Sequence, residues 1–115
     1  YLHMLSIEVQ SPQEKAETLK NEGNQFFKEH KFALALEYYS KAITEHATAV
    51  LYSNRAITNI RLENYGDALS DADAAIKLDS NFAKGYYRRA TANFALGKPK
   101  AAYEDFKQVR CCNNC

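Results

Sequence analysis

The sequence predicts an all-α chain built from three consecutive helix pairs. Three observations carry this. Apolar residues recur at the three-and-four spacing of a helix in six successive stretches. No stretch alternates apolar and polar residues over the length of a strand. Small residues return at a fixed interval: Ala56 and Ala90 are 34 positions apart, as are Ala68 and Ala102, while Gly23 to Ala56, Ala35 to Ala68 and Ala42 to Ala75 are each 33 apart.

The elements follow in order. Ser11-Pro12-Gln13-Glu14 is a helix start, with Ser11 as cap, Pro12 at the first helical position and Glu14 completing a capping box. Ala16, Leu19, Gly23, Phe26 and Phe27 then mark one face of the first helix. Glu29-His30-Lys31 interrupts, and Phe32, Ala35, Leu36, Tyr39, Ala42 and Ile43 mark the second. The third runs from about Ala49 through Tyr52, Ala56 and Ile60 to Leu62. Glu63-Asn64-Tyr65 turns into the fourth, with Ala68, Leu69, Ala72, Ala75 and Ile76. Asp79-Ser80-Asn81 breaks the pattern, and Asp79 or Ser80 is available to cap the fifth helix, which carries Tyr86, Tyr87, Ala90, Phe94 and Leu96. Gly97 ends that helix and Pro99 opens the sixth.

Bulk properties exclude several functions. A chain of 115 residues with 46% apolar and 25% charged residues has the composition of one globular domain. A net charge of +1 argues against a general nucleic-acid binder, so any basic site is local. No apolar run approaches a membrane span, and no cleavable leader is recognisable. Residues 1–10 read as a flexible N-terminus or a leftover ahead of the start at Met4. All three cysteines fall in the last five positions, Cys111, Cys112 and Cys115, which suits a reducing, cytoplasmic or nuclear compartment better than a disulfide scaffold. Cys112 and Cys115 form a C-x-x-C, but a structural zinc site needs four ligands, and His3, His30 and His46 are distant. The segment 111–115 is therefore expected to be a frayed tail, with no metal and no cofactor. No Ser/His/Asp or Cys/His set suggests catalysis.

A period near 34 with two helices per unit resembles the tetratricopeptide repeat, over about 100 of the 115 residues. The units are roughly 16–48, 49–82 and 83–115, within a repeat domain of 11–110. The resemblance implies a right-handed superhelix whose further capping helix is largely missing. Three departures accompany it. The family's usual Trp is Leu19, Tyr52 and Tyr86, the Pro expected after each second helix is absent, and the first unit is one residue short at Glu45-His46-Ala47-Thr48. In such a solenoid the first helix of each pair lines a concave groove. The groove positions expected from spacing are Glu17, Lys20, Asn24 and Phe27; Val50, Ser53, Asn54, Ile57 and Ile60; and Lys84, Tyr87, Arg88, Thr91 and Phe94. Arg55 and Arg89 fall off that face and read as ion-pair partners of Asp71, Asp73 or Glu104. Lys98, Lys100, Lys107 and Arg110 read as a solvated face.

Lys20, Asn24, Asn54, Lys84 and Arg88 fall near one level of the three inner helices. Cations with amides between them suit paired carboxylates: Arg offers a planar fork, Lys a mobile charge, and Asn an N–H donor without added repulsion. Phe27, Ile57, Ile60 and Phe94 make an apolar shelf about one turn further along, with Tyr87 as part of the wall. A free peptide C-terminus ending in an acidic residue, preceded by an apolar one, fits both. Four or five charge-assisted bonds of about 1.5–3 kcal/mol each would support micromolar binding after ordering costs. These five residues are similar to the dicarboxylate clamp of one repeat subfamily: Lys-x-x-x-Asn, then Asn, then Lys-x-x-x-Arg. That resemblance implies binding of the Glu-Glu-Val-Asp tails of cytosolic heat-shock chaperones, the 90 kDa class first and the 70 kDa class second. Lys84–Ala90, Leu96-Gly97-Lys98 and the Asn64–Leu69 turn look most like the repeat domain of a family of serine/threonine phosphatases, where it also covers the catalytic site. Its own phosphatase domain is then a second expected partner. The alternative is a co-chaperone or scaffold module holding a different peptide in the same groove. Phe106 and Val109 are expected to be partly uncovered, giving weak self-association.

Overall fold

The computed structural model describes residues 9–114, with side chains as far as Cys111. The described residues form six helices: α1 Pro12–Lys28, α2 Phe32–Glu45, α3 Ala49–Arg61, α4 Tyr65–Leu78, α5 Ala83–Ala95 and α6 Pro99–Asn114. Most of the N-terminal segment set apart above, residues 1–8, lies outside the described residues. α6 reaches Asn114 and so takes in most of the stretch expected to fray, while the side chains of Cys112 and Cys115 lie outside what is described.

The helix starts follow local chemistry. Ser11 Oγ accepts from the Glu14 N–H at 3.1 Å and Glu14 Oε1 accepts from the Ser11 N–H at 3.1 Å, the reciprocal capping box. Thr48 caps α3 by accepting from the Leu51 N–H. The expected cap of α5 is not formed: Phe82 holds the cap position without a side-chain bond, and Asp79 instead accepts from Asn81 N–H at 3.0 Å. That bond spans two residues and closes a local turn, which competes with capping for the same carboxylate.

Each inner helix ends the same way. The residue after the cap is left-handed: His30 (φ 61°), Glu63 (φ 62°) and Gly97 (φ 79°). Paired backbone bonds close each end: Lys31 N–H to Phe26 O and His30 N–H to Phe27 O, Asn64 N–H to Asn59 O and Glu63 N–H to Ile60 O, Lys98 N–H to Asn93 O and Gly97 N–H to Phe94 O. These are Schellman motifs, which reverse the chain in two residues and lay α2, α4 and α6 back against α1, α3 and α5. Only the third uses glycine, so the first two carry the steric cost of a side chain in that conformation.

Packing repeats with the sequence period. α1 packs on α2, α3 on α4 and α5 on α6; α2 and α4 in turn contact the helix that follows, and α3 also touches α5. The seams are lined by alanine: Ala35, Ala56, Ala68 and Ala90 are fully buried and Ala102 nearly so. Small side chains let the axes approach closely. Gly23 is an absolute case, since a Cβ there would lie 2.8 Å from Tyr39 Cε1. The radius of gyration, 15.9 Å, exceeds the roughly 13 Å of a compact chain of this length, as a stack with one-dimensional contacts requires.

Two partly buried ion networks pin consecutive pairs together. Arg55 Nε donates to both Asp71 oxygens at 3.1 Å, its Nη2 to Oδ1 at 2.8 Å, and its Nη1 to Ser40 Oγ at 3.1 Å. Asn59 Nδ2 completes the Asp71 carboxylate at 3.0 Å. Arg89 repeats the arrangement: Nε and Nη2 donate to Asp105 at 2.8 Å and Nη1 to Asp73 at 2.9 Å. Each arginine thus ties its own pair to the pair before it. Asp105, not Glu104, is the partner of Arg89, because it stands 16 residues on, as Asp71 does from Arg55; Glu104 pairs with Lys107 at 3.1 Å. In the first unit the counterparts of Arg55, Asn59 and Asp71 are Glu22, Phe26 and Tyr38, and the Phe26 and Tyr38 rings pack at 5.0 Å.

Candidate functional site

The inner helices α1, α3 and α5 carry the five expected clamp residues. Lys20 and Asn24 lie one turn apart on α1, Asn54 is on α3, and Lys84 and Arg88 lie one turn apart on α5. Asn24 and Asn54 meet across the α1–α3 gap, where Asn54 Nδ2 donates to Asn24 Oδ1 at 3.3 Å. Lys20 is 23% exposed and held by Glu17 at 3.0 Å, an i,i+3 surface pair that a ligand carboxylate can replace at little cost. Lys84 is exposed, with no hydrogen bond or ion pair to the described residues.

Arg88 is the unusual member. It is half-buried, its Nε is fully enclosed without a partner, and its guanidinium lies 5.6 Å from the Tyr87 ring centroid. Burial holds its pKa below the ordinary value; Tyr87 opposes the shift and nearby Arg61 adds to it. Arginine keeps its proton regardless. The result is a partly desolvated cation with a second cation beside it and no carboxylate partner among the described residues.

Arg61 is the residue that spacing missed. It ends α3, seven positions after Asn54 and hence on the same face, and its guanidinium sits 5.5 Å from the Phe27 ring centroid. The signal was available: positions 54 and 61 are two turns apart. Lys20, Arg61, Lys84 and Arg88 thus bring four cations to the inner helices, and among the described residues only Glu17 is ion-paired with any of them, in a chain whose net charge is only +1.

The apolar positions divide. Phe94 is 66% exposed and Tyr87 47%, with Tyr87 edge-on to Phe106 at 6.0 Å. Ile57 and Ile60 are half-buried. Phe27 is partly spent on the core, edge-on to Phe32 at 5.2 Å. Ser53 is not a groove residue: it is fully buried, with its hydroxyl unpartnered. Val50 and Thr91 remain accessible, although Thr91 Oγ1 bonds back to the Tyr87 carbonyl. A cleft between α1 and α3, lined by Glu17, Lys20, His46, Val50 and Leu51 among others, opens beside Lys20.

Three stacked helix pairs with closely packed small residues, and a polar groove on their first helices, define a tetratricopeptide repeat domain. The chain belongs to that family. No protein-family model matches it. Among solved structures, the second repeat domain of Spaghetti (RPAP3), bound to the HSP90 peptide SRMEEVD, superposes with a TM-score of 0.84 at 38% identity, over 87% of this chain and 94% of that one. The second repeat domain of human RPAP3, in complex with the HSP70 peptide SGPTIEEVD, also gives 0.84 at 38% identity, over 89% and 86%. Among curated proteins, serine/threonine-protein phosphatase 5 of Homo sapiens is 46% identical over 96 residues, which are 83% of this chain and 19% of that protein. The chain thus spans about a fifth of that relative's length.

Proposed function

We propose that the groove binds the acidic C-terminal tail of cytosolic heat-shock chaperones, the 90 kDa class first and the 70 kDa class second. Lys20, Asn24, Asn54, Lys84 and Arg88 hold the terminal and side-chain carboxylates of the last residue. The observation that carries this reading is Arg88. A half-buried guanidinium with an enclosed, unpartnered Nε, set beside Arg61, is a net cost to the free domain. A carboxylate in the groove would pair the guanidinium through its accessible Nη groups, matching its charge and offsetting the repulsion from Arg61. Support comes from the related domains at 38% identity, solved with peptides ending in Glu-Glu-Val-Asp.

The domain then serves as the targeting and autoinhibitory module of a serine/threonine phosphatase in the cytoplasm or nucleus. The 46% identity to phosphatase 5 favours this setting. A co-chaperone or scaffold setting is the second reading, favoured by 40% identity over 97 residues to RNA polymerase II-associated protein 3 of Mus musculus. Phe27, Ile57, Ile60, Tyr87 and Phe94 form the wall for the residues preceding the terminal acid.

The test is a titration with a free-acid Met-Glu-Glu-Val-Asp peptide and its C-terminally amidated twin. Affinity should fall at least tenfold on amidation, in Lys84→Ala and in Arg88→Glu. Equal affinity for the two peptides would sink the carboxylate reading.

A further inference from the structure

We propose that Tyr39, on the outer helix α2, is a positioning residue for the carboxylate site, acting through the side-chain amide of Asn24. This rests on the groove reading above. Tyr39 is 2% exposed and its hydroxyl donates to Asn24 Oδ1 at 2.5 Å. The same oxygen receives Asn54 Nδ2 at 3.3 Å. An amide oxygen has two lone pairs, and here both are taken by protein donors. The Asn24 NH2 group makes no bond to the described residues and stays accessible, so the donor end of the amide is the end offered to a ligand. This orientation matters because the two ends of an asparagine amide have nearly the same shape. Turned over, Asn24 would set its oxygen against a carboxylate and replace an attraction by a repulsion.

The internal repeat supplies a control. The counterparts of Asn24 in the second and third units are Ile57 and Thr91, and the counterparts of Tyr39 are Ala72 and Phe106. Among these units, the amide at the groove position and the hydroxyl behind it occur together in the first alone. The third member is Gly23, whose counterparts are Ala56 and Ala90. Tyr39 Cε1 and Cδ1 fill the space a Cβ at position 23 would need, at 2.8 and 2.9 Å. Gly23 therefore admits the ring, the ring places the hydroxyl, and the hydroxyl orients the amide. Burial raises the Tyr39 pKa to about 12, so the hydroxyl keeps its donor proton across the neutral range.

Tyr39→Phe tests this, since it keeps the ring and removes the donor. Loss of one neutral hydrogen bond and of the amide's fixed orientation should weaken the free-acid peptide about three- to tenfold. The same factor should appear in a Lys84→Ala background and vanish in an Asn24→Ala background, because a residue acting through Asn24 has nothing to act on there. In the unliganded domain, the Asn24 side-chain NH2 resonances should shift in Tyr39→Phe while those of Asn93 stay in place. Unchanged affinity in Tyr39→Phe, or an equal loss with Asn24 already removed, overturns the proposal. If the parent domain fails to distinguish the amidated peptide, the groove reading fails first. The Asn24 resonances then decide the Tyr39 contact alone, and their invariance overturns it.

Discussion

Arg88→Met separates the two roles that the groove imposes on one residue. Methionine keeps the length and apolar stem of arginine and removes its charge. Relief of an enclosed, unpartnered donor is worth about 1–3 kcal/mol. The contact with the Tyr87 ring, 5.6 Å to its centroid, is lost at a cost of about 0.5–1 kcal/mol. The balance lies between no change and a gain of about 2 kcal/mol, a rise in Tm of up to roughly 8 °C for a domain of this size. The repulsion from Arg61 is removed as well, so the gain should shrink at high salt, where the parent is already screened. Binding should move the opposite way. Loss of a charge-assisted hydrogen bond, about 1.5–3 kcal/mol, weakens the free-acid peptide roughly 10- to 150-fold. Thermal unfolding followed by circular dichroism at low and high salt, with calorimetric titration of the peptide, reads both quantities. A variant less stable by more than about 1 kcal/mol that still binds normally would show Arg88 to be a structural residue, and the reasoning would be wrong.

Other consequences follow from the packing. Gly23→Ala should destabilise the domain by about 1–3 kcal/mol despite alanine's better helix propensity, whereas Gly66→Ala, with nothing within 4 Å of the added Cβ, should be neutral or stabilise by up to about 1 kcal/mol; urea titrations of the pair give the contrast. Arg55→Ala leaves the Asp71 carboxylate, 5% exposed, with its charge unmatched, and should cost about 3–5 kcal/mol, while Lys41→Ala breaks an exposed i,i+4 pair and should cost less than about 0.5 kcal/mol. Folding raises the Tyr39 pKa from 10.0 to about 12, so its contribution to stability is whole below pH 10 and is lost as pH climbs through 12. Tyr39→Phe should flatten the stability curve over that window in unfolding experiments; a curve as steep as the parent's would place the alkaline loss elsewhere.

The helix count, the pairing and the placement of the five candidate clamp positions on the first helix of each pair were legible in the amino-acid sequence. All of these depend on periodicities that survive translation into space: 3.6 residues for a helix face and about 34 for the unit. Ser11 and Glu14 were legible as a capping box because the whole interaction is contained in four residues. Tertiary structure alone decided how the polar residues divide between ligand and protein. Arg55 and Arg89 are spent on Asp71, Asp73 and Asp105, and Arg88, next in sequence to one of them, is left unmatched. Ser53 lies on the groove side of the wheel and is nonetheless fully buried, because a wheel records angle but not the distance to the next helix. His30 and Glu63 give no hint of the left-handed backbone that Gly97 announces; the closing of each helix pair imposes it on them. Tyr39 reads as core from its spacing, and only the folded chain brings its hydroxyl to Asn24, fifteen residues away on the neighbouring helix. Spacing along the chain fixes which face a residue occupies, whereas its partner is fixed by the helices that come to lie against that face.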